Sequence, residues 1–403
     1  MKLWQQVFVG LILGVIAGLL LGDKAEGLKI FGTIFINLIK MVIVPLIFFA
    51  LLSGITSIGD GHSLARVSIK GIAIYISTAM FAVCLGLLVA TIFKPGIGID
   101  ISSLGEMSPP NANGHLELKT FLLGLIPTNP INAMANDHFI QIVIFSIFLG
   151  ICINLVGDKN KPLKEIINIC AQTSFKMIGI IIKLAPVGVF GFIACMVGTQ
   201  GMEVLLSLCK LILTALFAFT IQYILFGFMI FFLARISPFP FYKKMLLTQS
   251  LAFATSSSKA TLPTAMDQLN QRLGVSRASV NFLMPLGACL NMDGMAIYLG
   301  ISAVFFAQAF GVVLTPHDYL ILVLTCTLGS IGGAGIPSGS IIFMGMVLNS
   351  VGLPTEGIAL LLGIDRILDM LRTVVNLTGD ATVTVIIDST EKTLNKNIYY
   401  AKE

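Results

Sequence analysis

The stretch GSIGGAGIPSGS, residues 329–340, interrupts an apolar segment of the chain. From Ser330 onward it holds four glycines, one proline and three serines, and it lies between the apolar runs LILVLTCTL and IIFMGMVL. Helix interiors resist glycine and proline. An apolar arm of ten helical residues covers only about 15 Å, half of the hydrocarbon thickness of a bilayer. The segment 321–349 therefore predicts a hairpin that enters a membrane, turns and leaves on the same side.

A second segment has the same pattern. Residues 245–265, MLLTQSLAFATSSSKATLPTA, also place a polar centre between two short apolar arms. Non-helical backbone at membrane depth is tolerated only where it is buried in protein or lines a wet cavity. Two interrupted segments, each followed by a long apolar span (280–306 and 355–388), indicate the binding site of a transporter. The alternative for either segment alone is a kinked helix that crosses the membrane.

The composition predicts that much of the chain's surface faces lipid. Of the 403 residues, 56% are hydrophobic and 11% are charged, whereas soluble domains carry about 25% charged residues. The run Phe8–Leu21 is interpreted as a first span, because no small-residue cleavage site of a signal peptide comes after it. Windows of about 20 apolar residues also predict crossings near 5–22, 30–58, 67–93, 138–157, 175–198 and 204–234. Residues 95–137 predict an external loop that leads into the fourth span.

Charged residues between the spans indicate orientation. The loop 95–120 holds Asp100, Glu106 and Glu117 against Lys119 alone, whereas other connections are basic. By the positive-inside tendency, both termini are predicted to be cytoplasmic. The seven isolated cysteines predict neither disulfides nor a metal site. The basic clusters are interpreted as orientation signals and not as a nucleic-acid surface; they comprise Arg66, Lys70, Lys159, Lys161, Lys164, Arg235, Lys243, Lys244, Lys392, Lys396 and Lys402.

The last span carries a polar stripe. In DRILDMLRTVVNLTGD, residues 365–380, the positions +3, +4, +7 and +11 from Asp369 are Arg372, Thr373, Asn376 and Asp380. This spacing places all five on one helical face. A charge at mid-bilayer costs about 2.5–3.5 kcal/mol on insertion scales, so the stripe is predicted to face a site inside the protein. The alternative is an Asp369–Arg372 ion pair that only locks the helix bundle.

The other long span contains NMDG, residues 291–294, in which a glycine comes directly after a carboxylate. A local unwinding there would release backbone carbonyls, and hard cations bind carbonyl and carboxylate oxygens. Neither Asp293 nor Asp380 has a lysine or arginine nearby in sequence. Monovalent cations or protons are therefore predicted to neutralise these two carboxylates.

Four motifs occur together: SSSKATLP, MPLGACLNMDG, GGAGIPSG and DMLRTVVNLTGD. In this order and at these separations, the chain resembles the prokaryotic glutamate/aspartate transporters, the dicarboxylate/amino acid:cation symporters, over essentially its whole length. The resemblance implies an all-α polytopic membrane protein with eight transmembrane helices, two re-entrant hairpins and inverted repeats. It also implies a homotrimer in the inner membrane and an elevator-type movement of a transport domain against a scaffold.

The resemblance also implies a division of the chain. Scaffold helices 1–2 would occupy residues 1–66, and transport-domain helix 3 with the external loop would occupy 67–137. Residues 138–235 would hold scaffold helices 4–5 and transport-domain helix 6. Residues 236–403 would form the transport core, with hairpin 1 at about 245–265, helix 7 at 280–306, hairpin 2 at 321–349 and helix 8 at 355–388.

The same resemblance implies the substrate contacts. Asp369 would accept the ammonium group of an acidic amino acid, and Arg372 would bind its side-chain carboxylate, a task suited to a guanidinium. The remaining polar groups of the substrate would contact Thr373, Asn376, Ser257 and Ser258 and the backbone of Ile336 and Gly339.

Three sodium sites are implied in the same way. One would use Asp380, Asn376, Asn291 and Gly287, and a second would use Asp293, Asn291, Thr78 and Tyr75. A third would form from the backbone of Ser330, Ile331 and Gly333 with Cys289 and Met292 when the second hairpin closes over substrate and ion.

Several positions depart from the family pattern. Met295 stands where a hydroxyl is usual, Leu299 replaces a glutamine or glutamate, and Ala79 replaces a serine beside Thr78. The family's additional arginine, beside the serines or next to Asp369, is missing at Ser256 and Met370. Lys259 in the first hairpin either supplies that positive charge or only extends towards water.

Together these features predict a secondary symporter of L-aspartate or L-glutamate driven by sodium, and not an enzyme. The alternatives are proton coupling, a C4-dicarboxylate carrier of the same family, and an ion channel with re-entrant pore segments. A hydrolase with a hairpin serine as nucleophile lacks an evident general base. Because no GxxxxGK[ST] motif is present, the energy is expected to come from an ion gradient.

Overall fold

The computed structural model of the chain describes residues 3–56, 65–99, 126–136, 138–332, 339–355 and 357–401. These residues are mostly helical and contain no β-strand. The helices in chain order are α1 Leu3–Leu21, α2 Lys29–Thr56, α3 Ala65–Phe93, α4 Pro130–Ala135, α5 Phe139–Val156, α6 Lys161–Ile181, α7 Ala185–Gln200, α8 Glu203–Met229, α9 Phe239–Thr255, α10 Ser258–Asp267, α11 Arg277–Leu290, α12 Asp293–Ala309, α13 Pro316–Gly332, α14 Gly339–Ser350, α15 Ile358–Thr390 and α16 Lys396–Tyr400.

Several helical stretches are long and apolar enough to cross a membrane, as expected of a polytopic protein. Within the described residues there are five, or six if the bent pair α6–α7 is one span. The predicted crossing at 175–198 contains a bend, because Ile182–Leu184 form a 3₁₀ turn and the axis changes direction by 50° between α6 and α7. The count of eight crossings, the homotrimer and the elevator movement stay predictions. The five stretches are Gln5–Phe35, Ile69–Phe93, Glu203–Ala234, Arg277–Ala309 and Leu360–Thr390.

Helix α1 packs closely along α7 through small residues. Gly10, Gly14 and Gly18 recur every four residues and so lie on one face of α1. A Cβ atom added at Gly14 would lie 2.8 Å from the carbonyl oxygen of Phe190, and one at Gly18 would lie 2.7 Å from that of Ala194. Small residues at such positions let membrane helices approach closely and gain van der Waals contact.

Both interrupted segments consist of two short helices. In the first, α9 ends at Thr255 and α10 starts at Ser258. Ser256 between them adopts the left-handed conformation, with φ 52° and ψ 35°, which reverses the chain. In the second, α13 and α14 pack against each other, and their connection at 333–338 lies outside the described residues. The re-entrant position of these segments in a bilayer stays a prediction.

Helix α12 lies at the centre of the molecule. All of its residues except Gln308 are buried, and it contacts α3, α8, α13, α14 and α15. A helix that is apolar on nearly all sides is buried in this way. The break between α11 and α12, at Asn291 and Met292, therefore lies inside the protein, as expected from the NMDG motif.

Two buried charges anchor the chain's C-terminal region. The Nζ of Lys244 is buried and donates hydrogen bonds to the carbonyl oxygens of Arg272, Ile398 and Tyr399, at 2.9, 2.8 and 3.0 Å. Lys244, one of the basic residues interpreted as orientation signals, is thus buried against backbone carbonyl oxygens, and its role in orientation stays a prediction. Asp388 accepts hydrogen bonds from the backbone N–H of Ser276 and from the hydroxyl of Ser279, at 3.0 and 2.8 Å. These bonds fix the start of α11 to the end of α15.

The close approach of α1 and α7 can be tested with Gly14→Ala. The added methyl group would overlap the Phe190 carbonyl oxygen, and overpacking of this kind costs about 1–3 kcal/mol. We expect a lower melting temperature of the purified protein in detergent. Gly179→Ala is the matched control, because nothing lies within 4 Å of its added Cβ. Equal melting of both variants and the parent protein would contradict the packing described here.

Candidate substrate and cation site

The polar stripe of α15 faces the protein interior, as its spacing predicts. Asp369, Arg372, Thr373 and Asn376 are each at most 6% exposed, and Asp380 is completely buried. Thr373 donates its hydroxyl hydrogen to the carbonyl oxygen of Asp369 at 2.7 Å. The stripe therefore brings three charges and two polar side chains to one interior surface.

Arg372 is held between two carboxylates of its own helix. Its Nη1 lies 2.9 Å from Asp365 Oδ1, and its Nη2 lies 2.7 Å from Asp369 Oδ1. The guanidinium carbon also lies 4.9 Å from the centre of the Tyr298 ring, a cation–π contact. The Asp369–Arg372 pair weighed as a structural alternative is thus present. Asp365 was missed in the sequence analysis, although it stands seven residues before Arg372 and so shares its face.

Arg372 is linked to the second interrupted segment through Asp365, and to Arg366 through Asp369. Ser340 on α14 donates its hydroxyl to Asp365 Oδ1 at 3.3 Å. Arg366, 30% exposed, places Nη1 at 3.8 Å from Asp369 Oδ2. Two aspartates and two arginines therefore form one cluster. Arg366 thus provides a second positive charge beside Asp369, in addition to Arg372. Lys259 is exposed at the start of α10, and its predicted role stays a prediction.

The break between α11 and α12 lies beside Asp380. Asn291 has extended backbone, and its Nδ2 donates to Asp380 Oδ1 at 3.0 Å while its Oδ1 accepts from the Thr78 hydroxyl at 3.2 Å. A Cβ added at Gly287 would lie 2.7 Å from Asp380 Oδ1 and 2.8 Å from the hydroxyl oxygen of Tyr75. Five predicted cation ligands thus converge here, with the Tyr75 hydroxyl donating to the Leu283 carbonyl oxygen at 2.9 Å.

Asp293 has a partner that the sequence analysis missed. Gln222 on α8 is fully buried, and its Nε2 donates to Asp293 Oδ2 at 3.0 Å. Three acceptor atoms around this point are buried without a hydrogen-bond partner in the described residues: Asp293 Oδ1, Asp380 Oδ2 and Gln222 Oε1. Buried oxygens of this kind normally have partners, and a cation or a proton would provide one.

A close contact between α12 and α15 joins the two halves of the site. The backbone N–H of Gly294 donates to Asn376 Oδ1 at 2.8 Å. A Cβ at Gly294 would lie 2.5 Å from the carbonyl oxygen of Arg372, so only glycine permits this approach. The Asn376 side-chain oxygen is therefore bonded to the broken helix. Along α15, Asn376 lies between the arginine cluster and Asp380.

The remaining predicted residues belong to the two interrupted segments and to the helix break. Ser257 caps α10 by accepting a hydrogen bond from the Ala260 N–H at 3.3 Å, and Ser258 is buried beside it. Ser330 donates its hydroxyl to the Thr327 carbonyl oxygen at 2.8 Å. Gly333 and Ile336 lie outside the described residues. Of the others, Ile331 is half-buried in α13, Gly339 begins α14, Cys289 is half-buried in α11, and Met292 is buried at the break.

Comparison with known proteins identifies the family of the chain. The family model described as "Sodium:dicarboxylate symporter family" matches residues 3–390. The chain belongs to this family. Two similar proteins of Bacillus subtilis are a "Proton/glutamate-aspartate symporter", 33% identical over 96% of this chain and 94% of the relative, and a "Proton/sodium-glutamate symport protein", 35% identical over 97% and 93%. A "C4-dicarboxylate transport protein" of the same organism is also 35% identical, over 97% and 95%.

Membership in the family is consistent with a multi-pass membrane transporter and with the absence of an enzymatic role. The names of these relatives include both protons and sodium, and both amino acids and C4-dicarboxylates. The names alone therefore leave open which ion and which dicarboxylate this chain carries. The geometry around Asp369 and Asp380 bears on both questions.

The packing of Gly287 against Asp380 and Tyr75 can be tested with Gly287→Ala. The added methyl group would displace the Asp380 carboxylate, so we expect the stabilisation of the purified protein by sodium or by acid to weaken by about tenfold in concentration, a change of about 1.4 kcal/mol. Gly345→Ala is the matched control, because its nearest neighbours lie 3.9 and 4.0 Å from the added Cβ. Equal sodium and acid responses in the two variants would contradict this site.

Proposed function

We propose that the chain is a secondary active symporter of L-aspartate and L-glutamate, driven by a sodium gradient. One observation carries the choice of substrate: the buried Arg372 is shared by two carboxylates, Asp365 and Asp369. A substrate carboxylate can replace Asp369 on the guanidinium while Asp365 keeps the arginine in place. Asp369, once released, becomes the partner of an ammonium group.

The charge of the cluster favours a substrate with an ammonium group. A C4-dicarboxylate would bring two further negative charges next to Asp365 and Asp369, which are both buried. Arg372 and the partly exposed Arg366 form ion pairs with these aspartates, and they would have to oppose four negative charges. An acidic amino acid brings one positive charge with its two carboxylates, and Asp369 can accept it. Like charges at short range inside a protein are costly, so the dicarboxylate alternative is disfavoured.

The cation proposal depends on the two carboxylates near the broken helix. Asp293 and Asp380 form no ion pair with a basic side chain in the part of the chain that the structure describes. Their neighbours are the neutral side chains Thr78, Asn291 and Gln222, each of which has an oxygen atom that could coordinate a cation. One carboxylate with several neutral oxygens suits a hard monovalent cation. Gln222 Oε1, which is buried and has no hydrogen-bond partner in the described residues, is an additional candidate ligand.

Proton coupling is the second candidate, and a specific observation favours it. Ala79 removes one oxygen donor from the second cation site, and the similar Bacillus subtilis proteins have protons in their names. A carboxylate with too few donors for a metal ion can carry a proton instead. Sodium coupling and proton coupling predict different rates of substrate uptake under the same ion gradients.

The second interrupted segment is proposed as the gate. The Ser340 hydroxyl bonds to Asp365, which also holds Arg372. A substrate that changes the pairing of Arg372 would therefore act on α14 through a single shared carboxylate. In the same proposal the protein is a homotrimer in the inner membrane, with both termini in the cytoplasm.

Uptake into proteoliposomes tests the proposed function. Labelled L-aspartate, L-glutamate and succinate would be offered under a sodium gradient at constant pH and, separately, under a proton gradient without sodium. We expect uptake of the two amino acids with sodium alone. Uptake only with acid outside would replace sodium by protons, and uptake of succinate without either amino acid would overturn the substrate.

The role of Asp369 can be separated from that of Asp365 by replacing each with asparagine. Asp369→Asn removes the partner of the ammonium group, and we expect the KM for L-aspartate to rise by about 100-fold, since a buried charged hydrogen bond contributes about 1.5–3 kcal/mol. Asp365→Asn keeps an acceptor for Arg372 and Ser340, and the variant would retain its preference for amino acids over succinate. A preference for succinate in Asp365→Asn, or an unchanged KM in Asp369→Asn, would contradict the assignment.

A further inference from the structure

A groove with aromatic walls lies at the end of α8, far along the chain from the polar stripe. Its volume is about 930 Å³, near the upper limit of the roughly 300–1,000 Å³ typical of small-molecule sites. The end of α8, the connection to α9, the start of α9 and Tyr400 of α16 form its lining. A cavity of this size suits a long amphiphile better than a small polar metabolite.

The walls of the groove are mainly apolar and aromatic. Phe228, Phe231 and Phe232 are 55%, 55% and 65% exposed, and Phe239 at the start of α9 is 81% exposed. The ring of Phe232 stacks on Phe228 at 6.3 Å and meets Phe231 edge-on at 5.1 Å. Large exposed apolar patches mark interaction sites. At the end of a helix long enough to span a membrane, the available apolar partner is a lipid acyl chain.

The groove contains one charged side chain that forms no ion pair with the described residues. Tyr242 donates its hydroxyl to the Tyr223 carbonyl oxygen at 2.5 Å, and the Tyr400 hydroxyl accepts from the Ser237 N–H at 3.2 Å. Arg235 is the one charged side chain among the described residues of the lining, and it forms no hydrogen bond or ion pair with them. The stretch 230–247 contains no aspartate or glutamate. The groove therefore presents an unmatched positive charge.

The backbone presents this charge at the groove. Residues Ile230–Ala234 form a π-helical turn, and Arg235 then adopts the left-handed conformation with φ 55° and ψ 42°. Non-glycine residues rarely adopt it, and such strained residues and π-turns cluster at functional sites. Arg235 comes directly after the apolar stretch Glu203–Ala234, which is the level where a span meets lipid headgroups.

We propose that this groove binds an anionic phospholipid, with an acyl chain along the phenylalanine walls and the phosphate at Arg235. Basic residues next to a span attract anionic headgroups. Lys244 is turned inward onto three carbonyl oxygens, so Arg235 and the exposed Lys243 provide the positive charge at this surface. A zwitterionic lipid would satisfy the walls equally well but would match the arginine less well.

Lipid retention tests this proposal without reference to transport. The full chain would be purified from nanodiscs that contain equal amounts of phosphatidylglycerol and phosphatidylcholine, and the retained lipid would be measured by mass spectrometry. We expect preferential retention of phosphatidylglycerol. Arg235→Gln should reduce this preference about fivefold, which corresponds to the roughly 1 kcal/mol per basic residue at an anionic surface. Arg235→Lys should keep most of it.

Arg277→Gln is the matched control, because Arg277 is exposed at the start of α11 and does not line the groove. Equal retention of the two lipids by the parent protein would overturn the proposal, as would equal losses in Arg235→Gln and Arg277→Gln. Cross-linking of Phe232→Cys to a second copy of the chain would show that protein covers the groove, and would overturn it too.

If Arg235→Gln does not fold, the parent protein alone still tests the proposal. Its melting temperature should rise as phosphatidylglycerol replaces phosphatidylcholine in the nanodisc, and no rise would overturn the proposal. Because the readout is lipid binding, these outcomes are independent of the proposed symport.

Discussion

Charges that cannot face lipid must find their partners inside the protein, and α15 carries most of them. Within a bilayer, an unpaired charge or an unbonded backbone group costs several kcal/mol. Asp365, Asp369 and Arg372 meet this constraint by pairing on one helical face. Asp380 meets it only in part, since one of its oxygens has no partner in the described residues. The same rule therefore explains both the stability of the cluster and the need for a ligand beside it.

The broken helix α11–α12 provides hydrogen-bond partners for the polar stripe of α15. Chain breaks inside a membrane protein are tolerated where the released backbone groups find partners. Here Gly294 offers its N–H to Asn376, and the absence of a side chain at Gly294 lets α12 touch the backbone of Arg372. Gly287 likewise leaves the room that the Asp380 carboxylate and the Tyr75 hydroxyl occupy. The glycines at these two positions serve close approach and not conformational freedom.

Local patterns in the sequence were enough to predict the polar stripe and the helix break. The spacing from Asp369 to Asp380 placed five residues on one face, and NMDG located the break, because both signals involve residues close together in the chain. The long-range partners were not predictable in this way. Gln222 and Asp293 are 71 residues apart, and Ser340 and Asp365 are 25 apart. The burial of Lys244 was equally unpredictable, since its inward position depends in part on carbonyl groups of a helix more than 150 residues later.

Distances along α15 set the approximate scale of the direct electrostatic coupling between ion and substrate in the proposed symport. Arg372 and Asp380 are eight residues apart, which is about 12 Å along a helix. At an effective dielectric constant of about 20, two unit charges at that distance interact by about 1.4 kcal/mol, or about tenfold in affinity. A cation bound at Asp380 would therefore favour an anionic substrate at Arg372 before any part of the chain moves. Asn376, bonded to Gly294 midway between them, provides a mechanical link in addition to this electrostatic one. Stronger coupling would require a further element that responds to both, and α14 has the necessary contact through Ser340 and Asp365.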